Sequence, residues 1–524
     1  MSARAIMVLG TSSHVGKSLM TAALCRIFAR AGYRVAPFKA QNMSLNSAAT
    51  PDGYEIGRAQ ALQAEAAGIA PSVHMNPVLI KPSGDTSSQI VVRGKVWAHL
   101  DARTYHQHRA ITLLPIVEES YRMLASSHDI VVLEGAGSPA EINLKDNDIV
   151  NMRMAKVADA QCLLVGDIDR GGVFASLLGT CELLDEDERE RIRGFVINKF
   201  RGDLELLEPG VRMMEQRIGK PCMGVVPYLK NLSLDEEDSV GFGHRDAAVW
   251  TELSAPSRPL KIGVIAFPSI SNFTDFDALA AEPSVALRHF QDPSGIALAD
   301  VVILPGSKQT ADDLRWNRDH GFDRALHLHA KKGGLIVGIC GGFQMLGKEI
   351  VDPHGMERAG TEQALGMLPV RTIMGRDKVT VPARGMLCNG SLFGQSIDSC
   401  KVRGYEIHLG TTEYMDGAAP FASILRQTNE TQALFDGCIS EDRRIFGTYL
   451  HGLFDQDAFR HAFLCASRAA LQMSAPEKLM EWSERRRQQL DLLADEFGSA
   501  LDLNAIFGMA GLPLRADRSE RRLT

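Results

Sequence analysis

The chain has no C-x-x-C pair and no cluster of cysteine and histidine at metal-ligand spacing. Its nine cysteines stand singly along 524 residues. This excludes a disulfide framework and a structural zinc site, and it fits a reducing compartment. No apolar run is long enough to span a membrane. The first residues, MSARAIMVLG, lead into a strand and turn with no signal peptide, so a cytoplasmic protein is expected. Excess positive charge is also missing: the formal net charge is −7, which leaves no electrostatic footprint for nucleic acid. What remains is an ordinary globular composition, 45% hydrophobic and 23% charged. The length exceeds what one core supports, so at least two domains are expected.

The stretch Gly333–Leu346, GGLIVGICGGFQML, holds the sharpest chemical signal. Leu335-Ile336-Val337 is an apolar strand, Gly338 to Gly342 a turn, and Phe343 to Leu346 the start of a helix. This is a nucleophile elbow with cysteine where a hydrolase carries serine. Small residues around Cys340 permit the sharp turn, and the amides that follow can bind an oxyanion. A helix start beside the sulfur favours thiolate. The competing reading is a buried structural cysteine between glycines.

The first half alternates buried strands with helices, which implies a parallel sheet with ligands at the carboxyl ends of the strands. Ala5–Leu9 runs into Gly10-Thr11-Ser12-Ser13-His14-Val15-Gly16-Lys17-Ser18, and a helical pattern follows from Leu19 to Ala31. Strand, glycine-bounded loop, Gly-Lys-Ser and helix form a phosphate cradle. Backbone amides wrap the phosphates, Lys17 neutralises the β/γ charge and Ser18 can ligate Mg²⁺. The loop holds five residues between its glycines, one more than the standard motif. Lys39, Gln41 and Asn42 follow the next strand and suit an anionic, hydrogen-bonding ligand, as do Ser44 and Asn46. Lys81, with Asp85 and Gln89 near it, is a further candidate for substrate contact. Glu134 ends the strand Asp129–Leu133, where a nucleotide-binding fold places a Mg²⁺ carboxylate. Glu55 is a second candidate for the metal, and Asn198 after Gly194–Ile197 is a candidate for the nucleotide base.

The polar, proline-containing stretch 245–259 reads as a linker. A second α/β unit opens at Leu260–Phe267. Its strand Val301–Leu304 ends at Pro305-Gly306-Ser307-Lys308, where Gly306 can offer an amide toward a reacting centre. A cysteine nucleophile needs a base that deprotonates it and then protonates leaving ammonia. His451, in GTYLHG, ends a strand-like run, and His408 is its competitor.

Pro-Gly-Ser, then GICGGFQML, then YLHGLF resemble the class I (triad) glutamine amidotransferases of the cobalamin pathway. The first half resembles the dethiobiotin-synthetase-like branch of P-loop ATP-dependent ligases, in which the longer loop is normal. The resemblance implies that Cys340 is the nucleophile and His451 its base, with Gly306 and Gly341 as oxyanion donors. It also implies nucleotide contacts from Gly10, Thr11, Gly16, Lys17, Ser18 and Asn198. Most triad relatives place a glutamate two residues after the histidine, where this chain has Leu453. Either Cys–His suffices or another carboxylate, such as Glu406, substitutes.

The expected fold is thus α/β with two parallel-sheet three-layer domains. Residues 1–244 form a P-loop NTPase-like ligase domain, 260–458 an amidotransferase domain and 459–524 a charged helical segment. The expected cofactors are ATP and Mg²⁺, with no tightly bound organic cofactor. The expected substrates are L-glutamine, ATP and a corrinoid, with a homo-oligomer compatible and neither nucleic acid nor membrane as partner. Within the resemblance, a corrinoid a,c-diamide amidated at its b, d, e and g carboxylates is favoured by PFKAQNMSLNS and EIGRAQA over the pathway's a,c-diamide synthase. A regulatory P-loop ATPase is the reading from another class. Such switches carry an early second lysine that Thr11-Ser12-Ser13 does not offer.

Overall fold

The computed structural model describes residues 3–82, 87–230, 232, 234, 258–397, 400–427 and 432–515. The chain divides into two compact units. One comprises Met1–Ser44, Ile56–Glu237 and Arg486–Thr524, and the other Leu45–Glu55 and Asp238–Arg485.

The first unit is built on six strands: β1 (Arg4–Gly10), β2 (Val35–Phe38), β3 (Ile130–Glu134), β4 (Gln161–Asp167), β5 (Ile192–Phe200) and β6 (Cys222–Pro227). They are parallel throughout in the order β6-β5-β4-β1-β3-β2. Ile130 to Glu134 is buried at every position, as a strand covered by helices on both faces requires. The order reverses around β1, so the β1–helix loop opens at the carboxyl edge where such sheets hold ligands. Helix α1 (Lys17–Arg30) follows β1, and α2 (Arg58–Ala67) packs against it. A second, four-stranded sheet in this unit joins Gln41–Met43, Val78–Pro82, Ser87–Val92 and Lys95–Asp101.

The second unit carries β7 (Leu260–Ile265), β8 (Ile270–Ser271), β9 (Val301–Leu304), β10 (Gly306–Ser307), β11 (Leu335–Ile339), β12 (Lys401–Tyr414), β13 (Ile445–Thr448) and β14 (Leu450–His451). Its central sheet runs Val285–Phe290, β7, β9, β11, β13 and Cys438–Ile439. All neighbours are parallel except the last pair. Helix α3 (Thr310–Asp319) follows β10, and α4 (Gly341–Leu346) follows β11. A second sheet contains β12 beside the long strand Val370–Leu387, with β14 on its other edge.

Two boundaries differ from the expected domains. Residues 45–55 belong to the second unit, where Asn46 and Ser47 bond the turn at Asn272 and Phe273. The C-terminal segment does not stand by itself. The helix Asp457–Ala470 buries Phe459, Phe463 and Leu464 in the second core, whereas Leu490, Leu493, Phe497, Ile506 and Phe507 complete the first. Each amphipathic face is drawn to the core that can cover it. The expected linker lies outside the described residues except for Arg258 and Pro259.

Candidate active site

In the second unit every residue of β11 is buried, and the strand ends one residue before Cys340. Cys340 takes φ 52° and ψ −108°, and α4 begins at Gly341. A non-glycine residue at positive φ costs of order 1–3 kcal/mol and persists where the surroundings impose it. One cause of the tight turn is direct: a methyl group on Gly342 would meet the Leu304 carbonyl oxygen at 2.0 Å. The helix can start against β9 only without a side chain there.

Because β11 and β13 pair in parallel, their carboxyl ends are adjacent and Cys340 N donates to Thr448 O at 2.8 Å. The chain then crosses to β14, where His451 lies opposite Tyr405 of β12 and stacks on its ring at 5.6 Å. His451 Nδ1 lies 2.7 Å from Asp275 Oδ2, and Gly452 N donates to Asp275 Oδ1 at 3.0 Å. Both side chains are buried. Burial opposes a charge on the ring, but the Asp275 carboxylate and the Cys340 sulfur, each through charge and hydrogen bonding, outweigh it. The imidazole pKa is raised to about 10. The groups line up as nucleophile, base and orienting carboxylate.

Asp275 escapes sequence reasoning because it lies 176 residues before the histidine it supports. It sits in a one-turn 3₁₀ helix, Phe273–Phe276, entered through Asn272 at φ 52°. Glu406, the substitute considered for the absent glutamate, is engaged elsewhere. Its oxygens accept from Arg426 Nε at 2.7 Å and Nη2 at 2.9 Å, and one lies 3.2 Å from His408 Nε2. Burial alone would raise its pKa, but Arg426 and His408 hold the carboxyl down at about 2. His408 has its other nitrogen 3.1 Å from Gly410 O and stacks on Tyr449 at 3.9 Å, so its ring is fixed away from a base's task.

The Gly306–Ser307 backbone is pressed between His451 and the start of α4. A methyl group on Gly306 would stand 3.1 Å from His451 Cε1, and one on Gly341 would stand 2.9 Å from Ser307 N. Gly341 N, first in α4, has no acceptor within its own helix. Gln344 Nε2 donates to Leu409 O at 2.9 Å and fixes the next turn against β12.

In the first unit Ser18 of the P-loop, Lys39 and Gln63 converge on Glu134. Its Oε1 accepts from Ser18 Oγ at 2.8 Å and from Lys39 Nζ at 2.9 Å, and its Oε2 accepts from Gln63 Nε2 at 2.6 Å. Lys17 Nζ donates to Ser12 O at 2.8 Å and Gly137 O at 2.9 Å, folded back over the loop between Gly10, Thr11 and Gly16. Gly16 adopts φ 100°, and a methyl group there would collide with Asn198 Nδ2 at 2.2 Å. Asn198 braces the loop: Nδ2 donates to Val15 O at 2.8 Å and Oδ1 accepts from Lys199 N at 2.9 Å.

Gln41 accepts from the Tyr105 hydroxyl, and Asn42 Nδ2 donates to Gln60 Oε1 at 3.1 Å. Lys81 is buried on the second sheet in register with Gln89, which faces His99. Glu55 falls in the second unit, where its carboxylate is paired with Lys378. Asp85 lies outside the described residues. Gln63, unnoticed in sequence, approaches Glu134 because α2 packs on α1.

The Ser18 hydroxyl and the Glu134 carboxylate are hard oxygen donors, and buried Gln63 Oε1 has no hydrogen-bond partner among the described residues. This set fits Mg²⁺, which takes few protein ligands when phosphates supply the rest. Among the described residues no group of three or more His, Cys, Asp or Glu side chains could hold a metal by itself.

A P-loop unit and a Cys–His–Asp unit in one chain define an ATP-dependent glutamine amidotransferase. Residues 6–240 match the CobQ/CobB/MinD/ParA nucleotide binding domain, and residues 261–459 match the CobB/CobQ-like glutamine amidotransferase domain. Among curated relatives, the cobyric acid synthase of Thermoanaerobacter sp. (strain X514) is 47% identical over 96% of this chain and 98% of its own. That of Sorangium cellulosum (strain So ce56) is 48% identical over 98% of this chain and 100% of its own. The chain belongs to the cobyric acid synthase family.

Proposed function

We propose that the chain converts peripheral carboxylates of a corrinoid into amides, with glutamine as nitrogen donor and ATP as activator. The substrate is adenosylcobyrinic acid a,c-diamide, the amidated positions are b, d, e and g, and the product is cobyric acid. Two chemistries joined in one chain carry this reading, over the same span as relatives named cobyric acid synthase. A carboxylate and ammonia do not condense unaided near neutral pH, because hydroxide is a poor leaving group. Phosphoryl transfer from ATP supplies a better one.

Cys340 attacks the side-chain amide of glutamine, and the tetrahedral oxyanion is received by the amides at Gly306 and Gly341. His451 gives a proton to the departing ammonia, leaving a thioester on Cys340. It then takes a proton from the water that releases glutamate. Asp275 fixes the ring and stabilises its charged form. At the nucleotide unit, amides between Gly10 and Ser18 and the Lys17 ammonium hold the ATP phosphates. Lys39 is suited to the carboxylate becoming acyl phosphate, and Lys81, Gln41 and Asn42 to the polar periphery of the substrate. Ser18 and Glu134 would hold Mg²⁺, which neutralises charge on the transferred phosphoryl group. Ammonia displaces phosphate from the acyl carbon and the amide forms.

Incubation with ATP, glutamine and candidate corrinoids, read by mass spectrometry, tests the proposal. Successive amidations of the a,c-diamide are expected. Amidation confined to the a and c positions of the unamidated acid would contradict it.

A further inference from the structure

One buried carboxylate beside the cysteine centre has no part in the chemistry above. Asp313 lies on the buried face of α3 and is 2% exposed. Its Oδ2 accepts from Ser307 Oγ at 2.6 Å, and its Oδ1 accepts from Ser269 N at 3.2 Å. These donors lie on the two sides of the short ribbon in which β8 and β10 pair antiparallel, Ile270 opposite Ser307 and Ser271 opposite Gly306. Lys308 N closes the ribbon on Ser269 O at 2.9 Å. One side of the ribbon presents Gly306 to His451. The other runs through Asn272 into the turn that carries Asp275.

We propose that Asp313 is a positioning residue for glutamine hydrolysis, clamping this ribbon so that the oxyanion backbone and the Asp275 turn are held together around His451. The inference rests on reading Cys340 and His451 as the glutaminase pair. It explains why a carboxylate is kept in a place that penalises it. Burial pushes the Asp313 carboxyl up to about 6, opposed by hydrogen bonds from Ser307 and Ser269, while the neighbouring Asp312 adds to the rise. Among the described residues no cationic side chain pairs with it. A charge held at such a cost is a feature of sites where stability is given up for activity.

The test is Asp313→Asn in the full-length protein, comparing glutaminase kcat, the KM for glutamine and the thermal midpoint with those of the parent. The amide keeps the shape but loses one acceptor and the charge. Glutaminase kcat is expected to fall about 10- to 100-fold, the scale of a small misplacement of reacting groups, with KM within about 3-fold. The thermal midpoint is expected to hold or rise. Unchanged kcat overturns the proposal, and so does a kcat that falls together with the thermal midpoint, since that marks a structural role. Ser307→Ala removes one arm of the clamp, the donor to Asp313 Oδ2, while keeping the aspartate itself, so it tests the clamp even if the Asn variant does not fold. It should lower kcat about 3- to 10-fold on the same argument, and an unchanged value overturns the proposal. Cys340→Ala separates the two readings: glutaminase activity surviving in that variant would refute the underlying site instead.

Discussion

At the scale of single residues, the charge on His451 decides what the centre can do. The ring is raised to about 10 from the ordinary 6.5, so it is protonated through the neutral range and the sulfur beside it is matched with a cation. Asp275→Asn removes a charge that favours the imidazolium, so the basic limb of the glutaminase pH profile should move to lower pH. The rate at neutral pH should fall by at least about 100-fold, on the pattern of orienting carboxylates elsewhere. The sign for stability follows from the same shift. A histidine raised on folding contributes stability that is fully present below about pH 6.5 and is lost as pH rises through about 10. A thermal midpoint that declines with pH across that window in the parent, and declines less in Asp275→Asn, would show it. Glu406→Gln makes the contrast. Glutaminase activity should stay nearly unchanged, while stability falls because the half-buried Arg426 loses the charge of its Glu406 carboxylate.

At the scale of elements, the phosphate loop is held by a side chain far along the chain. Asn198 closes on Val15 O from the end of β5, and Gly16 leaves no room for anything larger than hydrogen. Asn198→Ala is expected to weaken ATP binding about 10-fold by releasing the loop, on the scale of one buried hydrogen bond. Gly16→Ala should abolish binding, as isothermal titration with an ATP analogue would show. Lys17→Ala should stop amide synthesis from glutamine and from free ammonia alike, while glutaminase activity persists. The main strands were legible because buried parallel strands are continuous apolar runs ending at glycine and polar residues. Ala5–Leu9 and Asp129–Leu133 needed no more than that. The four-stranded sheet from Gln41 to Asp101 was not legible, because its strands mix polar and apolar residues and mark no single buried face.

At the scale of the whole molecule, the chain order of residues is not the order of cores. Residues 45–55 fold with the second unit and residues from Arg486 onward with the first. No local pattern announces this, since an amphipathic helix shows that it will be covered but not by what. Truncation after Arg485 should expose the core around Phe28 and Val226 that Leu493, Phe497 and Phe507 cover. Unfolding of the first unit at lower temperature, with nucleotide binding lost, is the expected result. The cysteine elbow was readable because its turn is local, whereas His451, buried at the end of β14, was set apart from His408 by the family resemblance and not by its exposure. The third group of the relay was hidden by the same long-range folding that moved the domain boundaries.

The claim joining all three scales is that Cys340 makes ammonia and the ATP unit consumes it. The direct measurement is amidation by Cys340→Ala with ATP and corrinoid, supplied in parallel with glutamine or with concentrated ammonium salt at mildly alkaline pH. Loss of product from glutamine, with product from ammonia retained at the parental rate, is the predicted outcome. Product from glutamine in that variant, or loss from both nitrogen sources, would contradict the account.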